Sequence, residues 1–435
     1  MNEEHNIKQL PNDWKKVKLS EAGKIISGGT PSTAIPEYWN GNINWISPAD
    51  LTGYKKKTII KGAKSITDFG LKNSSARLMP KGSVLFSSRA PIGYVAIAAD
   101  ELSTNQGFKS IIPNENVQSE FLYYFLKASK QSAEKVASGT TFKEISLSKF
   151  SELDFPLPPK PTQQAIVFKI EELFSELDKG IESLRTAQLQ LKIYRQSVLK
   201  WAFEGKLTNL PTGEAGENVK EGELPTGWKL EPLKNICKTI GGVTKGRDFK
   251  GKETIHLPYL RVANVQDGYL DLRQIKTIEV LPTDREKYKL LLGDILYTEG
   301  GDKDKLGRGT IWKNEIEDCI HQNHIFRARP LSKEINSKYI AYFSQTRLAK
   351  NYFFKHGKQT TNLASINLTI LSNLPLPICS IEEQNDIVER IESRLSVADK
   401  MEESITQSLQ KAEALRQSIL KKAFEGKLLS NIEKK

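Results

Sequence analysis

Cysteine is scarce in this chain of 435 residues: there are three, Cys237, Cys319 and Cys379, odd in number and far apart. None stands in a CxxC spacing, which argues against a thiol-built zinc or redox centre, and reduced core thiols are the expectation. Long apolar runs are missing as well. No stretch approaches the roughly 18 apolar residues of a membrane span, and MNEEHNIKQL carries no apolar leader segment, so a cytoplasmic protein is expected. Catalytic signatures are also wanting: no GxxxxGK[ST] loop, no GxGxxG, no NPPY-type methyltransferase motif and no convincing D…ExK nuclease cluster. Asp302, Asp304 and Gly307 suggest a calcium loop only faintly, because the twelfth position is Lys313 where a glutamate is needed. His321 and His324 lack a nearby carboxylate or Cys set, and read as polar contacts rather than metal ligands.

Positive charge is what the chain has in excess. The formal net charge is +12; residues 1–161 and 208–379 hold +6 each, whereas 162–207 holds +1 and 380–435 holds −1. Two basic globular parts joined by neutral segments suit a polyanionic partner that touches both. Length alone suggests roughly three folding units at about 150 residues each.

A repeat organises the rest. RQSVLKWAFEGKL at 195–207 returns as RQSILKKAFEGKL at 416–428. Each copy closes a long helix-type pattern, Ala165 to Phe203 and Asp386 to Phe424, and each pattern follows a Pro-rich turn, FPLPPKP or LPLPICS. The globular parts repeat too. LPNDWKKVKL (10–19) lies on LPTGWKLEPL (224–233), INWISPADL (43–51) on LPYLRVANV (257–265), and KGSVLFSS (81–88) on LGDILYTE (292–299), all of strand type. EFLYYFLKASKQ (120–131) lies on KYIAYFSQTRLA (338–349) as an amphipathic helix, and its aromatics, Tyr123, Tyr124, Phe125, Tyr342 and Phe343, are expected in the core with Trp14 and Trp228. Trp201, opposite Lys422 in the repeat, is expected to pack on the neighbouring domain.

The long patterns carry a seam. Ile166, Ile170, Leu173, Leu177, Ile181, Leu184, Leu191, Tyr194 and Val198 in the first follow mostly three and four spacing, and so do Ile387, Ile391, Leu395, Ala398, Met401, Ile405, Leu409, Ala412, Leu415 and Ile419 in the second. Ser380 and Glu383 form a capping box at the second start, Thr162 is the N-cap expected at the first, and Gly205 and Gly426 are the stops. About 38 residues make a rod of roughly 57 Å, longer than a domain of this size needs. The expected fold is α+β: two tandem α/β domains, 1–161 and 208–379, separated and followed by long helices, 162–207 and 380–435 with its C-terminal tail. The helices are expected to pair as an antiparallel coiled coil with internal pseudo-twofold symmetry; the alternative is that each docks on its own domain.

This plan of divergent globular domains, Pro-rich turn, Gln-bearing helix start (Gln163, Gln164 and Gln384) and AFEGKL ending resembles the specificity subunit of Type I restriction-modification systems across essentially the whole chain. The resemblance implies two target-recognition domains held by an antiparallel coiled coil, each reading one half of an asymmetric bipartite site on double-stranded DNA. It implies two DNA methyltransferase (modification) subunits docked on the helices, with two restriction/translocase subunits in the full complex. S-adenosylmethionine, ATP and magnesium would be bound by those partners, and this chain would itself be non-catalytic. A single-chain methyltransferase-endonuclease is disfavoured by the missing motifs, and a coiled-coil adaptor without sequence preference is the remaining alternative.

Base edges are read by Arg or Lys on guanine and Asn or Gln on adenine, while Lys, Arg, Ser and Thr hold phosphates. At matching loops the candidates in the first domain are Lys55, Lys56 and Lys57, then Ser87, Ser88 and Arg89, Asn105 and Gln106, and Thr140, Thr141 and Lys143. In the second they are Lys245 and Arg247, Arg261, then Lys303, Lys305 and Arg308, Gln322 and Asn323, and Lys358, Gln359, Thr360 and Thr361. The Lys55–Lys57 run is expected on backbone phosphate. Asn105–Gln106 and Gln322–Asn323 fall at equivalent alignment positions, with backbone bonding in a turn as their bland role.

Overall fold

The computed structural model describes residues 10–89, 91–139, 143–208, 224–301, 306–359 and 364–429. Contacts divide the chain into two compact units, residues 1–184 with 407–435, and residues 185–406. Both long helices are longer than the sequence pattern, at Lys160–Phe203 and Ile381–Phe424, 44 residues each.

In the first unit a five-stranded sheet runs in the order Gly23–Ser27, Lys109–Pro113, Val84–Phe86, Val95–Ala98, Thr58–Ile59. A three-stranded sheet (Lys64–Ile66, Trp39–Ile46, Leu102–Thr104) and the pair Lys15–Lys18 with Asp154–Leu157 complete it. Side chains alternate in direction along a strand. Val84 and Phe86 accordingly join the core built on helix Ser119–Ala128 and the long helices, while Leu85 joins Ile46, Leu51, Met79 and Leu102 on the other face. The second unit repeats this: Ile295 and Tyr297 face helix Ser337–Ser344, whereas Leu296 packs with Leu260, Val265 and Trp312. Its four-stranded sheet is Cys237–Gly241, Ile325–Pro330, Ile295–Thr298, Gly309–Ile311.

The aromatics expected inside are inside: Tyr123, Tyr124, Phe125, Phe343 and Trp228 are buried, and Trp14 and Tyr342 pack half-buried against the same cores. Each expected amphipathic helix is broken in two, at Ser129 and at Gln345–Thr346. The three cysteines are buried and free, and burial pushes each thiol up to about 12. Trp201 keeps about two-fifths of its surface exposed.

The long helices pack antiparallel in each unit. In the first, Ile166 and Ile170 share a core with Ile419, Leu420, Ala423 and Phe424; in the second, Val198, Leu199 and Phe203 share one with Ile387, Val388 and Ile391. Ile170, Val198, Ile391, Ile405 and Ile419 are buried, and Leu177, Ile181, Leu184, Leu191, Leu395 and Leu409 are half-buried. Leu415 and Met401 depart from the expected stripe, at 50% and 53% exposed. Four-and-three spacing from Ala398 runs through Glu402, Ile405, Leu409, Ala412, Arg416 and Ile419, so charged residues take the positions next to them. Arg195 pairs with Asp399 at 2.6 Å and Glu402 at 2.9 Å, and its repeat mate Arg416 pairs with Asp178 while lying over the Phe174 ring at 4.8 Å. An aliphatic arginine stem can cover apolar surface while its head stays hydrated, which makes a seam position tolerable for it.

Both helix starts are latched alike. Gln163, with no exposed surface, accepts from the Gln118 amide at 2.9 Å and donates to the carbonyls of Asn116 (2.8 Å) and Pro158 (2.9 Å). Gln384 accepts from the Asn336 amide at 2.9 Å and donates to Cys379 (2.9 Å) and Glu334 (3.3 Å). Thr162 lies inside the first turn, not at its N-cap, because the helix begins two residues earlier. At the second start the Ser380 hydroxyl accepts from the Glu383 amide at 3.3 Å, and the Glu383 carboxylate accepts from Thr208. The AFEGKL ends plug into aromatic sockets: Phe424 meets Phe121 and Phe125 at 5.2 and 5.4 Å, and Phe203 meets Tyr339 and Phe343 at 4.9 and 5.1 Å.

Candidate nucleic-acid interface

Three candidate stretches of the first domain, distant in sequence, converge on one loop cluster. As strand Val84–Phe86 ends, the Ser88 amide and hydroxyl both donate to the Gly107 carbonyl, at 2.7 and 3.0 Å, and the Ser88 carbonyl accepts from Ile145 at 3.0 Å. The loops of Ser87–Arg89, Asn105–Gln106 and Lys143 are thereby laced together. Ser87 and Ser88 are fully buried: the Ser87 hydroxyl donates to Pro91 and accepts from Tyr94, so both serines hold the loop's shape. Arg89, Gln106 and Lys143 keep exposed surface. Arg89 reaches Glu144 at 3.5 Å, which the nearly buried Lys109 also approaches at 3.6 Å. Asn105 turns its carbonyl oxygen to the Gly107 amide at 2.8 Å, its bland role, while Gln106 accepts from the Thr30 hydroxyl. Gly28 and Gly29 make this approach feasible, since a Cβ on Gly28 would fall 1.8 Å from the Asn105 carbonyl oxygen.

The second domain builds the same frame. The Glu299 amide donates to the His324 carbonyl at 3.0 Å, the Glu299 carbonyl accepts from Ile366 at 2.7 Å, and Gly300–Gly301 pairs with Ala364–Ser365, which pairs in turn with Lys358–Gln359. Gly242 packs against the Gln322 and His321 carbonyls as Gly28 does against Asn105. The Gln322 amide donates to Leu260 and the Asn323 amide to Val243, so both main-chain donors of this pair are engaged. Exposed on the frame are His324, Lys358 and Gln359, although the Gln359 amide donates back to Phe354.

Other candidates are tied down elsewhere. Lys57 pairs with Glu171 of the first long helix at 2.5 Å, anchoring the run beside Lys55 and Lys56, which stay exposed. Arg247 pairs with Asp284 at 2.7 Å, Arg261 donates to the Gln274 carbonyl at 3.0 Å and Arg308 to Gln266 at 2.6 Å; Lys245 is exposed. Thr140, Thr141, Asp302, Lys303, Asp304, Lys305, Thr360 and Thr361 lie outside the described residues.

Both histidines are in polar contacts. His321 is buried with Nδ1 2.8 Å from the Ile325 carbonyl, and burial pulls it down to about 3, so it is neutral. His324 Nδ1 lies 2.5 Å from the Glu299 carboxylate. Sequence reasoning missed Thr30, Lys109, Glu144 and Glu299, and set His324 aside. The signal for this place was present in SGGT (27–30) and IGGV (240–243), glycine pairs one residue out of step in the repeat, with Gly28 matching Gly242.

The profile of the Type I restriction modification DNA specificity domain matches residues 11–185 and again 225–411. The chain belongs to this family. Among members, the MjaIX specificity subunit of Methanocaldococcus jannaschii is 35% identical over 268 residues, 61% of either chain. The EcoKI specificity subunit of Escherichia coli K12 is 25% identical over 442 residues, covering 97% of this chain and 90% of that one. In fold, the chain is similar to one from a type I R-M system solved to explain complex assembly and conformational transition, with a TM-score of 0.71 at 20% identity over 97% of this chain and 100% of that one. The HsdS subunit from Thermoanaerobacter tengcongensis gives 0.58 at 18% identity over 97% and 98%. Family membership makes this a DNA-recognition subunit, and each matched copy contains one of the two loop frames. No helix among the described residues is long and apolar enough to cross a membrane.

Proposed function

We propose that each domain reads one half of an asymmetric bipartite DNA site, and that the chain recruits two methyltransferase subunits and two restriction/translocase subunits for adenine methylation or cleavage in the cytoplasm. S-adenosylmethionine, ATP and magnesium belong on those partners. One observation carries the reading: the same backbone frame is built twice with different side chains on it, Arg89 and Gln106 on one, Glu299 and His324 on the other. Equal frames with unequal chemistry suit two unlike half-sites, and exposed lysines such as Lys55, Lys143, Lys245 and Lys358 suit phosphate contacts that fix register. The paired helices would set the unread spacer between the halves. Exchanging residues 1–161 for the first domain of another family member and mapping methylated adenines in cells that carry the partner subunits tests this. One half-site should change and the other stay; a change in both would defeat the modular reading.

A further inference from the structure

Glu299 is the place where the second frame departs most from the first. Its main chain is pinned on both sides, by His324 and Ile366, so its side chain leaves the strand end in one direction. His324 then holds one carboxylate oxygen, Oε2, at 2.5 Å. The imidazole is half-exposed and the carboxylate about one-third exposed, so the pair stands at the surface with the other oxygen, Oε1, uncommitted among the hydrogen bonds described. Both border an open pocket of about 460 Å³, with Gly300, Gly301, Val262 and Lys358 around it. A Cβ at Gly300 would come within 3.0 Å of the Ala364 carbonyl, so this wall stays low. In the first domain buried Ser88 stands where Glu299 does, and Arg89 stands where Gly300 does, pairing with Glu144 in the bridge that replaces Gly300–Ser365.

We propose that Glu299, oriented by His324, is a specificity-determining residue that accepts a hydrogen bond from the exocyclic amino group of a cytosine or adenine in the second half-site. The inference rests on the DNA-reading role proposed above. A carboxylate offers acceptors only. It pairs with the amino donor that cytosine N4 or adenine N6 presents in the major groove, and it repels the O6 of guanine and O4 of thymine, which are acceptors. Lys358, bordering the same pocket, offsets the repulsion between this carboxylate and nearby phosphates. His324 is a positioning residue: Nδ1–H donates to Oε2 and leaves Oε1 for the base.

The test uses the full chain assembled with its modification subunits, selected against duplexes randomised in both half-sites. Glu299→Gln, whose amide presents a donor as well as an acceptor, should relax discrimination at one base pair of the second half-site by roughly 5- to 150-fold. The first half-site and the salt dependence should stay as in the wild type. His324→Ala should relax the same base pair by less, and His324→Gln, which restores a donor to the carboxylate, should recover part of it. Melting and subunit assembly, followed in parallel, separate these effects from misfolding, and exposed His324 gives a readout if Glu299→Gln fails to assemble. Equal weakening across all sequences, a flattened salt slope, an altered first half-site or an unchanged second half-site would each overturn the assignment. A wild-type complex without sequence preference would instead overturn the DNA-reading role itself.

Discussion

Replacing Gln163 by leucine strips the latch at the start of the first long helix while nearly keeping its volume. The side chain is wholly buried and makes three hydrogen bonds, to the amide of Gln118 and the carbonyls of Asn116 and Pro158. A typical intramolecular hydrogen bond contributes about 1 kcal/mol net, and a buried partner left unmet costs about 1–3 kcal/mol. Three partners are stranded at once, so a loss of about 3 kcal/mol is expected, or a fall of roughly 6–12 °C in the melting of a unit of about 200 residues. Gln384→Leu supplies the internal control. It has the same three kinds of partner, with one bond lengthened to 3.3 Å, so its unit should lose slightly less. Calorimetry on both variants, with hydrogen exchange at the Gln118 and Asn336 amides, reads global and local effects together. A loss below about 1 kcal/mol at both sites would refute the latch.

Two further predictions concern the repeat and the second core. Gly426→Ala should destabilise by about 2 kcal/mol, because a left-handed residue with φ 72° gains a Cβ that meets the Pro11 ring at 2.5 Å, whereas Gly180→Ala, with nothing within 4 Å, should stabilise its helix by about 1 kcal/mol; thermal denaturation giving the opposite order would sink this account. His321, held neutral by burial at about 3, ionises in the unfolded chain near its ordinary value of about 6.5. Its contribution is therefore intact above pH 6.5 and lost as pH falls toward 3, and melting of His321→Gln from pH 7 to 4 should be flatter than that of the wild type.

Much of this architecture was legible because it repeats. AFEGKL announced itself as frame, and helix spacing announced a seam, since those patterns depend on neighbours three and four residues away. Which core each AFEGKL enters was not legible, because Phe424 packs on residues some 300 positions distant, and nothing local in the sequence encodes that pairing. Arg195 and Arg416 are instructive. A charged residue on an apolar stripe looks like a lapse of pattern, and the eye moves to Leu415, yet the structure puts the arginine on the seam and leaves the leucine outside. The serines misled in the opposite way. Ser87 and Ser88 follow a strand and look like exposed donors, but their hydroxyls are spent on neighbouring main chain. Loop convergence was half legible: the three stretches were chosen separately at matching places, and bonds such as those from the Ser88 amide and hydroxyl to the Gly107 carbonyl bring them together.

The socket that receives Phe424 has a bearing on how the molecule comes into being. Residues 185–406 form an unbroken segment, so that unit has all its parts as soon as the last of them leaves the ribosome. The first unit does not. Its aromatic socket waits for Phe424 and Leu428, and its opening Pro11 waits for Gly426, so the half made first is closed last. A chain cut short before residue 419 would carry a finished second domain beside an unfinished first one, with Phe121 and Phe125 exposed to quality control. Order of synthesis thus becomes a check on length: only a chain that reaches Leu428 can close both units.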